Sequence, residues 1–179
     1  TGVDWALDTE LNGPLSLFGN RVQLKGDVTI NASDADILLK AAQDIVVRDD
    51  IDMQTNGGDI ILWADSDSTG NGNIAVGNNT TMNSTNGLVT SSLSGGGNIV
   101  LAGGFDDGSN GGVASDGIPD GFAFSNTTNG IKLGDTASDD ATTMQSGGGN
   151  VIIRGESSNN ATGNNLPNNI GIYNLGKLN

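Results

Sequence analysis

The apolar residues of this chain come in short runs, each opened by a glycine turn and a single Asp or Asn. Gly57-Gly58-Asp59-Ile60-Ile61-Leu62-Trp63-Ala64 returns as Gly96-Gly97-Asn98-Ile99-Val100-Leu101-Ala102-Gly103, and again as Gly148-Gly149-Asn150-Val151-Ile152-Ile153-Arg154-Gly155. Runs of this length bounded by turn residues read as buried strands, and repetition of the whole unit reads as a solenoid. Filling in the intervening runs predicts a cycle of three strands. The first turn takes residues 15–18, 21–24 and 27–30, the second 36–40, 44–47 and 51–53, and the third 59–63, 73–76 and 80–82. The fourth takes 98–102, 130–133 and 142–144, and the fifth begins with 150–154 and 169–173.

Corresponding positions Leu15, Ile37, Ile60, Ile99 and Val151 lie 22, 23, 39 and 52 residues apart. About 22 residues with three short strands and tight corners is one coil of a parallel β-helix, whose strands stack about 4.8 Å apart along the axis. The handedness of parallel crossovers makes the coil right-handed. The expectation is therefore an all-β, right-handed parallel β-helix of four to five coils. Ile60 and Leu62 would lie over Ile37 and Leu39 and under Ile99 and Leu101. Val3, Trp5 and Leu7 alternate ahead of the repeats, so residues 1–14 are predicted to be a cap strand over the open core and residues 15–179 the β-helix. The echoes Met53-Gln54-Thr55-Asn56-Gly57, Met82-Asn83-Ser84-Thr85 and Met144-Gln145-Ser146-Gly147 mark a recurring corner. Positive-φ glycines and stacked Asn side chains are expected there.

The coils swell selectively. The link between first and second strands is short early on, then grows to 64–72, 103–129 and 155–168, with one further insertion at 84–97. In a solenoid, insertions at one corner pile up on one face of the rod, which is commonly the face that meets partners.

Composition sharpens this picture. Twenty-nine glycines and 4% aromatic residues fit thin strands joined by many turns. Seven basic residues against 21 acidic give a net charge of −14, which repels phosphate backbones and anionic lipid and so argues against nucleic-acid partners. No run is apolar for long enough to span a bilayer as a helix, so membrane insertion is not expected. The absence of Cys and His removes thiolate and imidazole ligands, leaving oxygen-bound hard cations, calcium above all. The first residue is Thr1 rather than an initiator Met, as expected of a processed protein or a segment of something larger.

Candidate chemistry sits in the swollen loops. Asp65 and Asp67 alternate with Ser and Gly in the first; Asp106, Asp107, Asp116 and Asp120 do so in the second. Such loops can wrap carboxylates around calcium, and these six residues are the candidate metal ligands. The run Asp116-Gly117-Ile118-Pro119-Asp120-Gly121 resembles the calcium-binding repeats of thrombospondin type 3 modules. The same aspartates are the acids a polysaccharide hydrolase would need, with Trp63, Phe105, Phe122, Phe124 and Tyr173 nearby and Lys132 or Arg154 as bases for a lyase. Without a Ser–His arrangement or a dense aromatic floor, the residues favour a non-enzymatic chain, with an enzyme acting on polysaccharide kept as an alternative.

The string Asp50-Ile51-Asp52-Met53-Gln54-Thr55-Asn56-Gly57-Gly58-Asp59-Ile60-Ile61-Leu62 resembles the repeats of filamentous haemagglutinin-type exoproteins. Ala64-Asp65-Ser66-Asp67, followed by a glycine-rich turn and Asn73-Ile74-Ala75-Val76, is similar to their commonest variant. The resemblance implies a right-handed β-helix in a secreted bacterial surface protein acting as adhesin, matrix component or stalk. It carries no catalytic residues. Expected partners are a glycan or a protein on a neighbouring cell or matrix. The second expectation is end-to-end stacking into an extracellular filament through unpaired strand edges.

Overall fold

The computed structural model describes residues 1–86, 95–126, 128–134, 142–158 and 172–174. Strands β1 (Gly2–Trp5) and β2 (Thr9–Leu11) precede three regular coils. These are β3 (Leu15–Gly19), β4 (Arg21–Leu24) and β5 (Val28–Ser33), then β6 (Ile37–Ala41), β7 (Ile45–Val47) and β8 (Asp52–Asn56), then β9 (Ile60–Ala64), β10 (Ile74–Val76) and β11 (Thr81–Asn83). The fourth coil contains β12 (Ile99–Gly103), an inserted β13 (Ala123–Ser125), β14 (Ile131–Leu133) and β15 (Thr143–Gln145). The last has β16 (Val151–Ile153), β17 (Gly155–Ser157) and β18 (Ile172–Asn174). Residues 169–171 of the expected final strand, and 87–94 of the expected insertion at 84–97, lie outside the described residues.

The strands form three parallel ladders, and the chain is a right-handed parallel β-helix. One ladder runs β3-β6-β9-β12-β16, a second β1-β4-β7-β10-β14-β18 and a third β2-β5-β8-β11-β15. Register follows the repeat: Ile37 pairs with Ile60, Ile60 with Ile99, and Ile99 with Val151. The inward positions fill the interior. Ile37, Leu39, Ile60, Leu62, Ile99 and Leu101 from the first ladder meet Leu24, Ile45, Ile74 and Ile131 from the second and Met53 and Met82 from the third, all fully buried. Each such side chain contributes about 1.5–3 kcal/mol. No coil can bury its own set, so stability is shared between neighbours.

Residues 1–13 lie at the end of the rod as two further rungs. Gly2–Trp5 is in parallel register with Arg21–Leu24, and Thr9–Leu11 with Val28–Ile30. Val3 and Trp5 are half-buried, but Leu7, the third member of the alternation, is 75% exposed because β1 ends before it.

The recurring Gly-Gly-Asp has two physical reasons. Gly57 takes positive φ (90°), whereas Gly58 does not. At Gly58 a Cβ would stand 2.1 Å from the carbonyl oxygen of Ala35 in the coil below. Gly97 over Gly58 and Gly149 over Gly97 meet the same obstruction at 2.3 and 2.1 Å. The second glycine is therefore dictated by backbone stacking. The Asp or Asn that follows ties coils together. Asp36 Oδ1 accepts from Asp59 N (2.7 Å), Asp59 Oδ1 from Asn98 N (2.6 Å) and Asn98 Oδ1 from Asn150 N (3.0 Å). At the recurring Met corner, hydroxyl groups carry out the closure. Thr55, Ser84 and Ser146 each donate to the carbonyl of the second glycine, at 2.5, 2.7 and 2.7 Å.

Candidate functional site

The insertions that follow first-ladder strands lie at one corner, between the first and second ladders, and bond to one another; residues 159–168 of the third lie outside the described residues, and the insertion at 84–97 falls between the third and first ladders. Gly72 and Phe124 exchange backbone hydrogen bonds of 2.8 Å in both directions, joining the first insertion to the second. Strand β13 of the second pairs with β17 of the third, placing Phe124 opposite Glu156. The corner thus has a small parallel sheet of its own, stacked alongside the main ladders.

Within each insertion the aspartates organise the backbone. Asp65 is buried, and its carboxylate accepts from the N–H groups of Gly70 (3.0 Å) and Asn71 (3.3 Å). Burial pushes its pKa above the ordinary Asp value, partly offset by those hydrogen bonds. Asp67 closes a local turn by accepting from the Thr69 hydroxyl at 3.0 Å. Asp106 accepts from Ser115 N, from Asp116 N at 3.3 Å and from Gly117 N at 2.9 Å, tying the start of the long loop to its middle. Asp120, 1% exposed, ties the end of that loop to its start through Asp107 N (3.0 Å) and Gly108 N (2.6 Å). Asp107 accepts from Ser109 N and Asp116 from Ile118 N. Its contacts with Ser109, the side-chain hydrogen bond first, hold Asp107 below the usual carboxylate range.

Of the six candidate ligands, the structure brings Asp65 and Asp107 to one depression, described below. Asp106 and Asp120 act as cross-ties within the long loop, while Asp67 and Asp116 face local turns. Among the described residues no three acidic side chains are grouped so as to hold a metal ion. One oxygen stands apart: Asp120 Oδ1 is buried without a hydrogen-bond partner and lies against Gly112, where a Cβ would overlap the carboxylate. Of the two candidate lyase bases, Lys132 sits on the outer face of the second ladder, in a shallow hollow that Arg48 and Asp49 also line. Arg154 donates to the carbonyl of Pro119 at 2.9 Å.

That Arg154 contact belongs to a feature the alternating-strand reading passes over. The long loop folds back across the outside of the first ladder and covers a second apolar cluster: Ile61, Trp63, Val100 and Ala102, with Leu38, Ile118 and Ile152 packed at its edge. Trp63 Nε1 donates to the carbonyl of Gly104 at 2.7 Å, pinning the loop's start. Lys40 Nζ lies 3.3 Å from the centre of the Trp63 ring, a cation–π contact. Desolvation lowers the Lys40 pKa, and the Asp106 carboxylate opposes that shift. The signal was present in the sequence. Ile60-Ile61-Leu62-Trp63-Ala64 and Ile99-Val100-Leu101-Ala102 are apolar at both parities, which marks strands covered on both faces.

Beside this loop the corner holds an open depression of about 260 Å3. Phe105, Phe122 and Phe124 line it, together with Asp107, Glu156 and the buried Asp65. Phe105 is 55% and Phe122 37% exposed, unusual for large apolar rings and grouped at one spot. Glycines at 70 and 104, both at positive φ, leave its walls free of side chains.

Comparison of the chain with family models, with curated proteins and with solved structures gave no match. Among the described residues, no helix is long and apolar enough to cross a membrane.

Proposed function

We propose that this chain is a non-enzymatic, rod-like segment of a secreted bacterial surface or matrix protein, and that its swollen corner is the face that binds. The observation that supports this is the joining of the insertions into one surface. Gly72 bonds to Phe124 and β13 pairs with β17, so loops from three successive coils present a continuous patch containing exposed Phe105 and Phe122. The resemblance of the repeats to haemagglutinin-type exoproteins supports the extracellular setting. The partner is a glycan or protein of a neighbouring cell or matrix.

Immobilised protein passed over a panel of extracellular polymers and matrix proteins tests the reading. A corner substitution, Phe105→Lys, is expected to weaken capture of the bound component at least tenfold. Gln54→Lys, on an exposed position of the third ladder, is expected to leave it within twofold. Equal loss from both variants, or from neither, would sink the corner as the binding face.

Calcium ordering of the long loop is part of the same proposal, and the unpartnered Asp120 Oδ1 is the atom in its favour. Its expected outcome is a higher Tm in calcium than in EDTA or magnesium, lost in Asp120→Asn, by linkage of binding to folding. Coincident melting curves in all three would leave these aspartates as acceptors for loop N–H groups only.

A further inference from the structure

We infer that the Phe105–Phe122–Phe124 depression receives a cationic side chain, lysine or arginine, from a basic peptide segment of the partner. This rests on the corner being the binding face and specifies what that face recognises.

The charged groups lining the depression are all carboxylates, with Asp107 and Glu156 exposed at its edge and Asp65 behind. Three phenylalanine rings complete it, and an aromatic face attracts a cation through its quadrupole. The two kinds of group are held side by side by regular structure. Phe124 and Glu156 are direct partners in the β13–β17 pair, so their backbones stand one strand spacing, ~4.8 Å, apart and their side chains leave the same face of that pair. An ammonium or guanidinium group entering the depression that both residues line would meet aromatic rings and carboxylates together. A space of about 260 Å3 is below the ~300–1,000 Å3 typical of pockets for drug-sized ligands. It suits one long side chain whose stem lies along the Phe rings while its head reaches the carboxylates.

The chain already makes this contact within itself. Lys40 lies on the Trp63 ring with Asp106 as the nearby carboxylate. The depression repeats that chemistry on the open surface with the cation left to a partner. The net charge of −14 steers basic segments toward the molecule and repels anionic ones. Hydroxyl groups of a neutral sugar need donors as well as acceptors. The side-chain donors lining the depression are the hydroxyls of Ser68 and Ser109, so the lining favours the cation over the glycan.

The test uses the full chain and three probes at low salt: an octapeptide alternating Lys and Ser, the same peptide with Glu for Lys, and a neutral glucan oligosaccharide. Calorimetry is expected to show binding of the lysine peptide alone, weakening as NaCl is raised. Phe105→Ala and Glu156→Gln should each reduce affinity tenfold or more. Asp52→Asn removes an equal charge from an exposed position of the third ladder and should leave affinity within twofold. Equal losses from Glu156→Gln and Asp52→Asn would overturn the site in favour of diffuse attraction to an acidic surface. Oligosaccharide binding abolished by Phe105→Ala would overturn the cationic ligand while leaving the corner as the binding face. Self-association abolished by Glu156→Gln, without peptide binding, would assign the depression to a second copy of the chain. Binding of a probe that no corner variant alters would overturn both the inference and the reading beneath it.

Discussion

Asp59 shows how one residue type, repeated in register, ties this molecule along its axis. Its N–H donates to Asp36 below, and its carboxylate accepts from Asn98 N above. The same device recurs elsewhere: Asp27 N donates to Asp8, Asp52 N to Asp27, Asn73 N to Asp44 and Asn78 N to Asp49. A hydrogen bond to a charged acceptor contributes about 1.5–3 kcal/mol. Asp59→Ala is therefore expected to lower unfolding stability by about that amount. Asp59→Asn should cost under about 1 kcal/mol, because Asn98 performs the same task with an amide oxygen for Asn150. Urea unfolding of the two variants measures the difference, and equal losses would show that charge rather than acceptance matters. The repeated Asp or Asn was legible in the sequence. Its partner was not, because the acceptor reaches the next coil, 19 to 52 residues away.

At the scale of elements, the long loop is held as a cover rather than displayed as a free arm. Its two aspartate cross-ties shape it, and Trp63, Arg154 and Ile118 fasten it over the first ladder. The Val100 and Ala102 side chains beneath are fully buried, so lifting the loop exposes them. Ile118→Ser removes the loop's apolar contact with this cluster without touching the core inside the coils. Faster cleavage within residues 105–121 by a non-specific protease is expected, with the chemical unfolding midpoint lowered only slightly. Unchanged cleavage would mean that Trp63 and Arg154 alone hold the cover. Length and acidity of the loop were visible in the sequence. That something covers the outward Ile61 and Val100 was legible from their parity; that the long loop does so was not, because Ile118 is remote from Ile61 in the chain.

For the whole molecule, the governing quantities are an axial core and a large negative charge. Partial desolvation raises the pKa of Asp36, opposed by the hydrogen bond from Asp59 N and aided by the Asp59 carboxylate, and burial raises that of Asp65. The folded state thus binds protons more readily than the unfolded chain over the range above the ordinary value of 3.8. Stability then falls as pH rises through that range and recovers as pH falls. Relief of repulsion among a net −14 acts in the same direction. Asp4, held down by its hydrogen bond to Lys25, and Asp107 act oppositely, and only near and below 3.8. Tm is therefore expected to increase as pH is lowered from 7 toward about 4. A Tm that declines over that interval would show that ionised ladder carboxylates outweigh the burial cost.

The local repeat determined a great deal by itself. Short β-branched runs, a three-strand cycle and the Gly-Gly-Asp corner leave a parallel β-helix as the arrangement that buries Ile60, Leu62 and their equivalents while pairing every strand. The same arithmetic located the swollen corner, because insertions fall outside the repeating coil. Tertiary structure alone decided what the corner became. Asp65 accepts from backbone N–H groups of the first insertion, and Asp106 and Asp120 from those of the long loop, partners that no spacing along the chain announces. Phe105 and Glu156 lie 51 positions apart, and the pairing of β13 with β17 makes Phe124 and Glu156 neighbours. Periodicity records contacts that recur at fixed spacing. A depression assembled once, from three insertions of unequal length, has no period to read.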